Sequence, residues 1–388
     1  MAFQPQPEPE SPLAKHRPLA PSCGVRVSPL CLGAMNFGEA WKGFMGACDK
    51  NATFEMLDYF YENGGNFIDT ANNYQNEESE QWIGEWMEKR GVRDQMVIAT
   101  KYTTDFKAGQ RTKHSLHSNY TGNSAKSMHV SVEASLKKLR TDYIDILYLH
   151  WWDLTCPVEE VMQGLNRLVQ AGKVLYLGVS DTPAYIVTRA NQYARDHGMK
   201  QFCVYQGQWS AAKRDLEAEI LPMCALEGMG IAPWGALGGG AFKTEEEKQK
   251  GGGRNLPGFG PSETDDKVST VLEKVSKAHG NVHMTSIALA YVMHAAPDVY
   301  PICGGRTINH LKSNIEALKI RLTEEELEEI EGAYGYQPPF PWSFIQGSAK
   351  NFAHRHLKPT DNFLTASAAF LETPDKRQPV LPSGEKAK

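Results

Sequence analysis

Four side chains of the 388-residue sequence have the types needed to exchange a proton with an alcohol or carbonyl oxygen: Asp69, Tyr74, Lys101 and His150. A free tyrosine, with a pKa of about 10, is a poor acid or base near neutral pH. A lysine cation beside it favours the phenolate and lowers that pKa, and an aspartate would keep the lysine charged and in place. A histidine could donate a hydrogen bond to the same oxygen. The set has no nucleophile and no electron source, so we expect a nicotinamide cofactor to supply the electrons.

The elements that would position these side chains follow from an alternating pattern. Apolar runs typical of buried strands alternate with segments of helical period, and the runs occupy 27–35, 66–68, 96–100, 144–149, 174–179, 202–205, 230–233 and 299–303. Helical patterns occupy 52–63, 77–90, 125–139, 158–171, 184–197, 215–228, 266–278 with 284–295, and 308–318. Eight such units predict an α/β fold, a (β/α)8 TIM barrel, in which the carboxyl ends of the strands meet at one mouth. The GxGxxG fingerprint of open dinucleotide-binding sheets is absent from residues 32–38.

The predicted domain organisation is one barrel over residues 22–335. Residues 1–21, with five prolines among the first 20, and residues 372–388, polar and charged, are expected to be disordered tails. Residues 336–371 are expected to form a C-terminal loop whose aromatic part, Phe340, Trp342 and Phe344, either folds over the mouth as a lid or packs under the barrel. Long connections over 102–123 and 235–265 follow strand ends, where loops bind or cover ligands.

Composition excludes several function classes. Lys and Arg number 41 against 46 Asp and Glu, with no basic block, which argues against nucleic-acid binding. No apolar run approaches the ~18 residues of a membrane helix, and the acidic N-terminus has no signal-peptide pattern. Seven scattered cysteines without a CxxC pair indicate reduced thiols and a cytoplasmic protein. The histidine pairs His114/His117 and His279/His283 lack further ligands at metal-site spacing, so we predict no metal.

Cofactor and substrate contacts are expected around the same mouth. Ser180, Asp181 and Gln206 could hydrogen-bond a carboxamide, and Trp234, with Gly235 and Leu237 after it, could stack on a nicotinamide ring. A phosphate site is predicted at the turn and helix that contain Gly305, Arg306 and Asn314. The aromatic residues expected to line a substrate cavity for a flat aryl compound are Phe37, Tyr120 and Trp151.

Residues 22–335 resemble the aldo-keto reductases. The order and spacing of Asp69, Tyr74, Lys101 and His150 match that family's catalytic tetrad, and residues 65–71 (GNFIDTA) and 177–180 (LGVS) are characteristic phrases. Residues 149–153 (LHWWD) and 178–182 (GVSDT) look most like fungal aryl-alcohol dehydrogenases and norsolorinic acid reductases. The resemblance implies NADPH-dependent reduction of an aldehyde or ketone. Tyr74 would be the proton donor, His150 would orient the carbonyl, and the setting would be fungal secondary metabolism of the mycotoxin (aflatoxin or sterigmatocystin) type.

Two departures from the family pattern concern the cofactor. Asp181 stands where many members have asparagine, and a carboxylate can only accept hydrogen bonds. Gly304 and Gly305 stand where many members place a lysine and a serine on the adenosine 2′-phosphate, which leaves Arg306 as the nearest replacement. NADPH is still expected ahead of NADH.

Two other function classes were weighed. Some proteins of this fold are non-catalytic regulatory subunits that sense the cofactor, and the complete tetrad weighs against that alternative. A barrel hydrolase would need a histidine pair after the first strand, where residues 36–38 are Asn-Phe-Gly, or two opposed carboxylates, whereas Lys101 balances Asp69. The small-molecule partner is therefore expected to be a carbonyl compound.

Overall fold

The strands form the predicted parallel barrel. The computed structural model describes residues 4–46, 48–244, 246–247, 262–345, 358 and 362–382. Eight strands pair in the order β10-β3-β4-β5-β6-β7-β8-β9, and they are β3 (Cys31–Gly33), β4 (Phe67–Asp69), β5 (Val97–Tyr102), β6 (Ile144–Leu149), β7 (Val174–Ser180), β8 (Phe202–Gln206), β9 (Gly230–Ile231) and β10 (Ile302–Cys303). The sheet closes through a parallel bridge between Ile231 and Val299, where the Tyr300 N–H donates to the Ile231 carbonyl at 2.8 Å.

Helices cover the outside of this sheet. They are α1 (Lys42–Met45), α2 (Lys50–Glu62), α3 (Glu78–Arg90), α4 (Ala125–Leu139), α5 (Val158–Gln170), α6 (Ala184–Asp196), α7 (Leu216–Glu227), α8 (Glu263–Ala278), α9 (Met284–Ala295), α10 (Ile308–Ala317), α11 (Glu324–Glu331), α12 (Trp342–Ile345) and α13 (Phe363–Ala366). A capping box formed by Thr323 and Glu326 begins α11. Every residue of β5 and β6 is buried, as expected for strands with a filled barrel on one side and helices on the other.

The N-terminal residues differ from the predicted disordered tail over 1–21. Residues Pro12–Ala14 form a 3₁₀ turn, and β1 (Arg17–Ala20) pairs antiparallel with β2 (Cys23–Val27). Leu19 and Val27 are fully buried among barrel-lining side chains such as Val97 and Ile146. The prediction of a disordered tail is wrong for residues 12–20. The prolines suggested disorder, but the segment forms a hairpin whose apolar side chains close the amino-terminal end of the barrel.

The first predicted barrel strand, 27–35, is also shorter in the structure. Val27 ends the hairpin, and the barrel strand begins at Cys31. Pro29 lies between them and has no N–H for a ladder hydrogen bond, which explains the break.

Trp342 of the C-terminal segment contacts the mouth side of the barrel. Trp342 Nε1 donates to Glu219 Oε1 at 3.2 Å. Glu219 lies in the first turn of α7, which follows β8, and the start of such a helix is near the carboxyl end of the strand before it. Phe340 is 79% and Phe344 56% exposed. Residues 346–357, which include His354-Arg355-His356, and 359–361 lie outside the described residues, so closure over the mouth stays a prediction.

The final stretch only partly matches the predicted tail. Residues 372–382 contain no helix or strand, but Arg377 forms an ion pair with Asp298, just before β10. None of the helices among the described residues is both long and apolar enough to cross a membrane.

Candidate active site

Three neighbouring strands bring the four predicted catalytic side chains together. Asp69 ends β4, Lys101 lies near the end of β5, and His150 follows β6. Lys101 Nζ lies 2.5 Å from Asp69 Oδ1, 2.7 Å from the Thr70 carbonyl oxygen and 3.4 Å from the Tyr74 hydroxyl. The Tyr74 and His150 rings meet edge to face with centroids 5.9 Å apart. A buried cation thus links a carboxylate to a tyrosine hydroxyl, with an imidazole beside the tyrosine.

Protonation of Tyr74 differs from the expectation based on its neighbours alone. Loss of hydration raises the pKa of Tyr74 above its ordinary value, and the Lys101 cation reverses only part of that rise. Burial lowers the pKa of Lys101, but Asp69 and Tyr74 outweigh it and the net pKa is raised. Lys101 therefore acts on the pKa of Tyr74 in the predicted direction, but the expected net lowering is wrong because it left desolvation out. Near neutral pH Lys101 is charged and Tyr74 carries its proton.

His150 is a neutral imidazole. Burial, and then the Lys101 charge, hold its pKa well below the ordinary value. A neutral imidazole has one N–H donor and one acceptor nitrogen. The Nδ1 atom lies 3.4 Å from the Thr104 hydroxyl oxygen. The site therefore contains two neutral groups, Tyr74 and His150, that can each present a proton to one substrate oxygen.

A strained turn directly after Tyr74 fixes its position. Gln75, Asn76 and Glu77 all have positive φ angles, of 51°, 51° and 84°. Such conformations cost of order 1–3 kcal/mol per non-glycine residue and persist only where surrounding contacts enforce them. Here Gln75 is fully buried; it accepts a bond from the Trp41 N–H at 2.7 Å and donates to the Met35 carbonyl at 3.0 Å. The helical pattern over 77–90 gave no indication of this turn, since residues 75–77 include no glycine to mark positive φ angles.

Glu77 anchors the other side of the turn. Its carboxylate lies 2.6 Å from Lys107 Nζ and 3.1 Å from Lys138 Nζ, and Lys138 also pairs with Glu80 at 2.7 Å. The turn is therefore held to the loop after β5 and to α4 by buried or half-buried ion pairs. These ion pairs were not predicted from the sequence.

Two aromatic residues beside Tyr74 were not predicted. Trp41 and Phe44 stack with centroids 5.7 Å apart, and Trp41 meets Tyr74 edge to face at 6.2 Å. Trp41 Nε1 donates to Asn76 Oδ1 at 3.1 Å, which ties the indole to the strained turn. Their position in the connection after the first barrel strand, which opens at the mouth, was the available signal. They form an aromatic wall next to the tyrosine.

The three predicted substrate residues have different surroundings. Phe37 is completely buried in the core, so the prediction that it lines a cavity is wrong; its side chain packs among other buried apolar residues. Tyr120 packs edge to face against Phe106 and His117, at 5.5 and 5.6 Å. Trp151 follows His150, and its Nε1 donates to Thr104 Oγ1 at 3.0 Å. Of the three, the contacts place Trp151 beside the catalytic cluster.

The predicted nicotinamide contacts lie at the ends of β7, β8 and β9. Ser180 ends β7, and its buried Oγ has no hydrogen-bond partner among the described residues. Trp234 is half-buried, and its Nε1 donates to Asp181 Oδ1 at 3.2 Å. Gln206 ends β8, but its Nε2 donates to Asp69 Oδ2 at 2.8 Å, so this amide group serves the catalytic cluster. One of the two Nε2 protons is engaged in this way, which leaves the amide oxygen and the second proton for a carboxamide.

The predicted phosphate site lies where two loops meet. The Asn36 amide donates to the Gly305 carbonyl, and the exposed Arg306 packs its guanidinium against Gly46. A Cβ on Gly46 would lie 1.9 Å from Arg306 Nη1, so only glycine leaves room for this arrangement. Asn314 is buried on α10. Gly235, with φ 77°, and the half-buried Leu237 continue from Trp234 into a loop whose residues 248–261 lie outside the described part.

These residues fit a nicotinamide dinucleotide. An unpaired buried hydroxyl suits a carboxamide, a half-buried indole held by Asp181 suits a flat ring, and an exposed guanidinium suits a phosphate. Within the described residues no group of three His, Cys, Asp or Glu is placed to hold a metal ion.

Comparison with known proteins gives matches along most of the chain. The model of the aldo/keto reductase family matches residues 29–334. Norsolorinic acid reductase B of Dothistroma septosporum is 52% identical over 381 residues, 95% of each chain. Norsolorinic acid reductase A of Aspergillus parasiticus is 50% identical over 384 residues, 98% of this chain and 97% of its own. Aryl-alcohol dehydrogenase [NADP(+)] of Phanerodontia chrysosporium is 51% identical over 364 residues, 91% of this chain and 94% of its own.

Proposed function

The chain belongs to the aldo/keto reductase family, and on that premise we propose that it reduces an aldehyde or ketone, favouring an aryl carbonyl compound, to the alcohol with NADPH. The observation that carries the proposal is the contact of buried Lys101 with both Asp69 and the Tyr74 hydroxyl. Relatives named norsolorinic acid reductase and aryl-alcohol dehydrogenase support an aryl substrate and a role in fungal secondary metabolism.

The protein's part in this reaction is to bind the carbonyl oxygen and give it a proton. Tyr74 is protonated at neutral pH, so it can donate its hydroxyl proton to an oxygen that gains negative charge. Lys101 beside it stabilises the phenolate that remains, and Asp69 keeps the lysine charged. Neutral His150 can donate a second hydrogen bond to the same oxygen and so orient the carbonyl.

The cofactor site is proposed around Ser180, Trp234 and Arg306. Ser180 and Asp181 would hydrogen-bond the carboxamide, Trp234 would stack on the ring, and Gly235 and Leu237 would border it. Bound NADPH supplies the hydride that the carbonyl carbon receives. Arg306, with Gly305 and Asn314 nearby in sequence, would hold the adenosine 2′-phosphate, which is the reason for preferring NADPH to NADH.

The substrate site is proposed between the aromatic wall and Trp151. The Trp41–Phe44 stack stands next to Tyr74, so an aryl ring lying against it would bring its carbonyl group to the tyrosine hydroxyl. A cytoplasmic location is proposed as well, supported by seven buried cysteines that are all unpaired.

The test is Tyr74→Phe, assayed by NADPH oxidation with a panel of aryl aldehydes, aliphatic aldehydes and aryl ketones. The wild type is expected to reduce aryl members best. The variant keeps the ring but loses the proton, and we expect kcat to fall by about 100-fold or more. NADPH binding, followed by protein fluorescence, should be unchanged because the hydroxyl is outside the proposed cofactor contacts.

Unchanged turnover in Tyr74→Phe would remove the proton-donor assignment. A wild type that binds NADPH but reduces no member of the panel would instead favour a non-catalytic protein that senses the cofactor.

A further inference from the structure

The hydroxyl of Thr104 stands between an indole and the candidate catalytic imidazole. Trp151 Nε1 lies 3.0 Å from Thr104 Oγ1, and the same oxygen lies 3.4 Å from His150 Nδ1. An indole N–H can only donate. Thr104 Oγ1 is therefore the acceptor in its bond with Trp151.

The direction of the second bond follows from the hydroxyl's single proton. If His150 Nδ1 also donated to Oγ1, the threonine proton would have no acceptor among the described residues. If the threonine donates to Nδ1, the indole N–H, the hydroxyl proton and the Nδ1 lone pair are all satisfied. The second arrangement leaves no donor unpaired around Thr104 Oγ1.

We propose that Trp151 and Thr104 act as positioning residues that fix the tautomer of His150, with the proton on Nε2. The role assigned to that proton rests on the proposed carbonyl reduction, because Nε2–H is then the donor left for the substrate oxygen. The opposite tautomer would direct its proton at Thr104 and offer the substrate a lone pair, which repels a developing oxyanion.

The backbone around this chain of bonds is held rigidly. Asn123 Nδ2 donates both to Thr103 Oγ1 and to the Trp151 carbonyl, each at 3.0 Å, so it joins the segment that carries Thr104 to the segment that carries Trp151. Thr103 has a φ of 117°, an unfavourable angle for a β-branched residue. Such strain is maintained by its surroundings and is common where side-chain positions matter for function.

A direct test is the tautomer of His150, read from two-bond ¹⁵N–¹H correlations of protein with ¹⁵N-labelled histidine. The signal is assigned by its loss in His150→Gln. Wild type is expected to show protonated Nε2. Thr104→Val keeps the shape but removes the hydroxyl, and it should give a mixture of tautomers. Thr104→Ser keeps the hydroxyl and should retain the wild-type pattern.

Trp151→Phe supplies a second test should Thr104→Val fold poorly. The hydroxyl remains but loses the indole N–H that orients it, so it can rotate away from Nδ1, and the tautomers should again mix. Trp152→Phe, which removes the adjacent indole, is the matched control and should leave the His150 signal unchanged. Wild-type protein with the proton on Nδ1, or Thr104→Val with the wild-type tautomer, would overturn the proposal.

Kinetics separate this proposal from the proposed function. Thr104→Val should lower kcat for a carbonyl substrate in proportion to the fraction of His150 that loses the Nε2 proton, by about 3- to 10-fold, which is less than the roughly 100- to 1000-fold cost of losing an oxyanion donor outright. The KM for NADPH should be unchanged. Thr104→Ser should stay within about twofold of wild type. If the tautomers behave as expected but wild type reduces no carbonyl compound, the proposed function fails and the tautomer assignment stands. Normal turnover in Thr104→Val overturns the positioning role.

Discussion

Desolvation and charge act in opposite directions on the candidate catalytic residues. Lys101 is fully buried, and its charge survives there because Asp69 and the Thr70 carbonyl both contact the ammonium group. Tyr74 lies at the edge of the same cluster, where loss of water outweighs the cation. The result is a charged lysine beside a protonated tyrosine, which suits proton donation to a substrate better than proton removal from one.

The clustering of the four candidate residues could be predicted from the sequence, whereas the protonation of Tyr74 could not. Asp69, Tyr74, Lys101 and His150 follow from strand ends, because parallel strands bring their carboxyl ends together. The pKa of Tyr74 depends on how much protein surrounds it, and that quantity comes from packing across several elements. The hydrogen bond from Gln206 to Asp69, which are 137 positions apart in the chain, could not be predicted for the same reason.

The residue-scale prediction concerns Arg306, an exposed cation placed by its packing on Gly46. Arg306→Ala removes the group proposed to contact the 2′-phosphate. A charge-assisted contact of this kind is worth about 1.5–3 kcal/mol, so the KM for NADPH should rise by roughly 10- to 100-fold. NADH has no such phosphate, and its KM should change little. Steady-state kinetics with both cofactors measure the two values.

Lys312→Ala is the matched control for Arg306→Ala. Lys312 is also an exposed cation of this region, but its ammonium group lies 5.6 Å from the Tyr59 ring. Its removal should leave both KM values nearly unchanged. Equal increases in the KM for NADPH and for NADH in Arg306→Ala would show that the arginine does not contact the 2′-phosphate.

At the scale of elements, the left-handed turn over residues 75–77 lies in the loop after β4 and connects it to two neighbouring loops of the mouth. Gln75 and Asn76 contact the loop after β3, and Glu77 contacts the loop after β5. Asparagine is the residue among these that tolerates a positive φ best. The backbone strain is therefore part of the geometry that sets Tyr74 beside Trp41.

Asn76→Gly tests this connection. Glycine relieves the strain but makes the unfolded chain more flexible, so the two effects on stability nearly cancel and Tm should change little. The indole of Trp41 loses its acceptor at 3.1 Å and becomes free to move. We expect the KM for an aryl aldehyde to rise several-fold, while the KM for a small aliphatic aldehyde is unchanged.

Asn76→Asp is the companion variant, since aspartate also tolerates positive φ and retains an oxygen acceptor. It should keep the wild-type KM for the aryl aldehyde. A normal KM in Asn76→Gly would mean that the indole needs no fixed position, and a parallel rise for the aliphatic aldehyde would point to displacement of Tyr74 instead.

At the scale of the whole molecule, the barrel and its order of strands were predictable, and the ends of the chain were not. Eight alternating apolar runs and helical patterns lead directly to the observed parallel sheet, because strands such as β5 and β6 are buried on both faces. The hairpin of β1 and β2 has no comparable pattern, since its strands have four and five residues and one contains Pro18. Its place is decided by contacts with distant segments.

Those contacts make the hairpin the base of the barrel. The Tyr300 hydroxyl donates to the Pro18 carbonyl, and the Ser22 N–H donates to the Gly228 carbonyl at 3.1 Å. A Cβ on Gly230 would lie 2.4 Å from the Leu19 carbonyl oxygen, so the hairpin packs tightly against β9. The stable folding unit therefore includes the hairpin and begins before residue 22.

Two truncations separate the ordered part of this segment from the rest. Residues 4–10 are exposed, so removing residues 1–10 should leave the free energy of unfolding in urea almost unchanged. Removing residues 1–21 also deletes Leu13 and Leu19, both fully buried. At about 2–5 kcal/mol for each buried leucine, unfolding should become easier by at least 4 kcal/mol. The point variant Leu19→Ala should lie between the two truncations, and equal urea midpoints for both truncations would contradict a structural role for the hairpin.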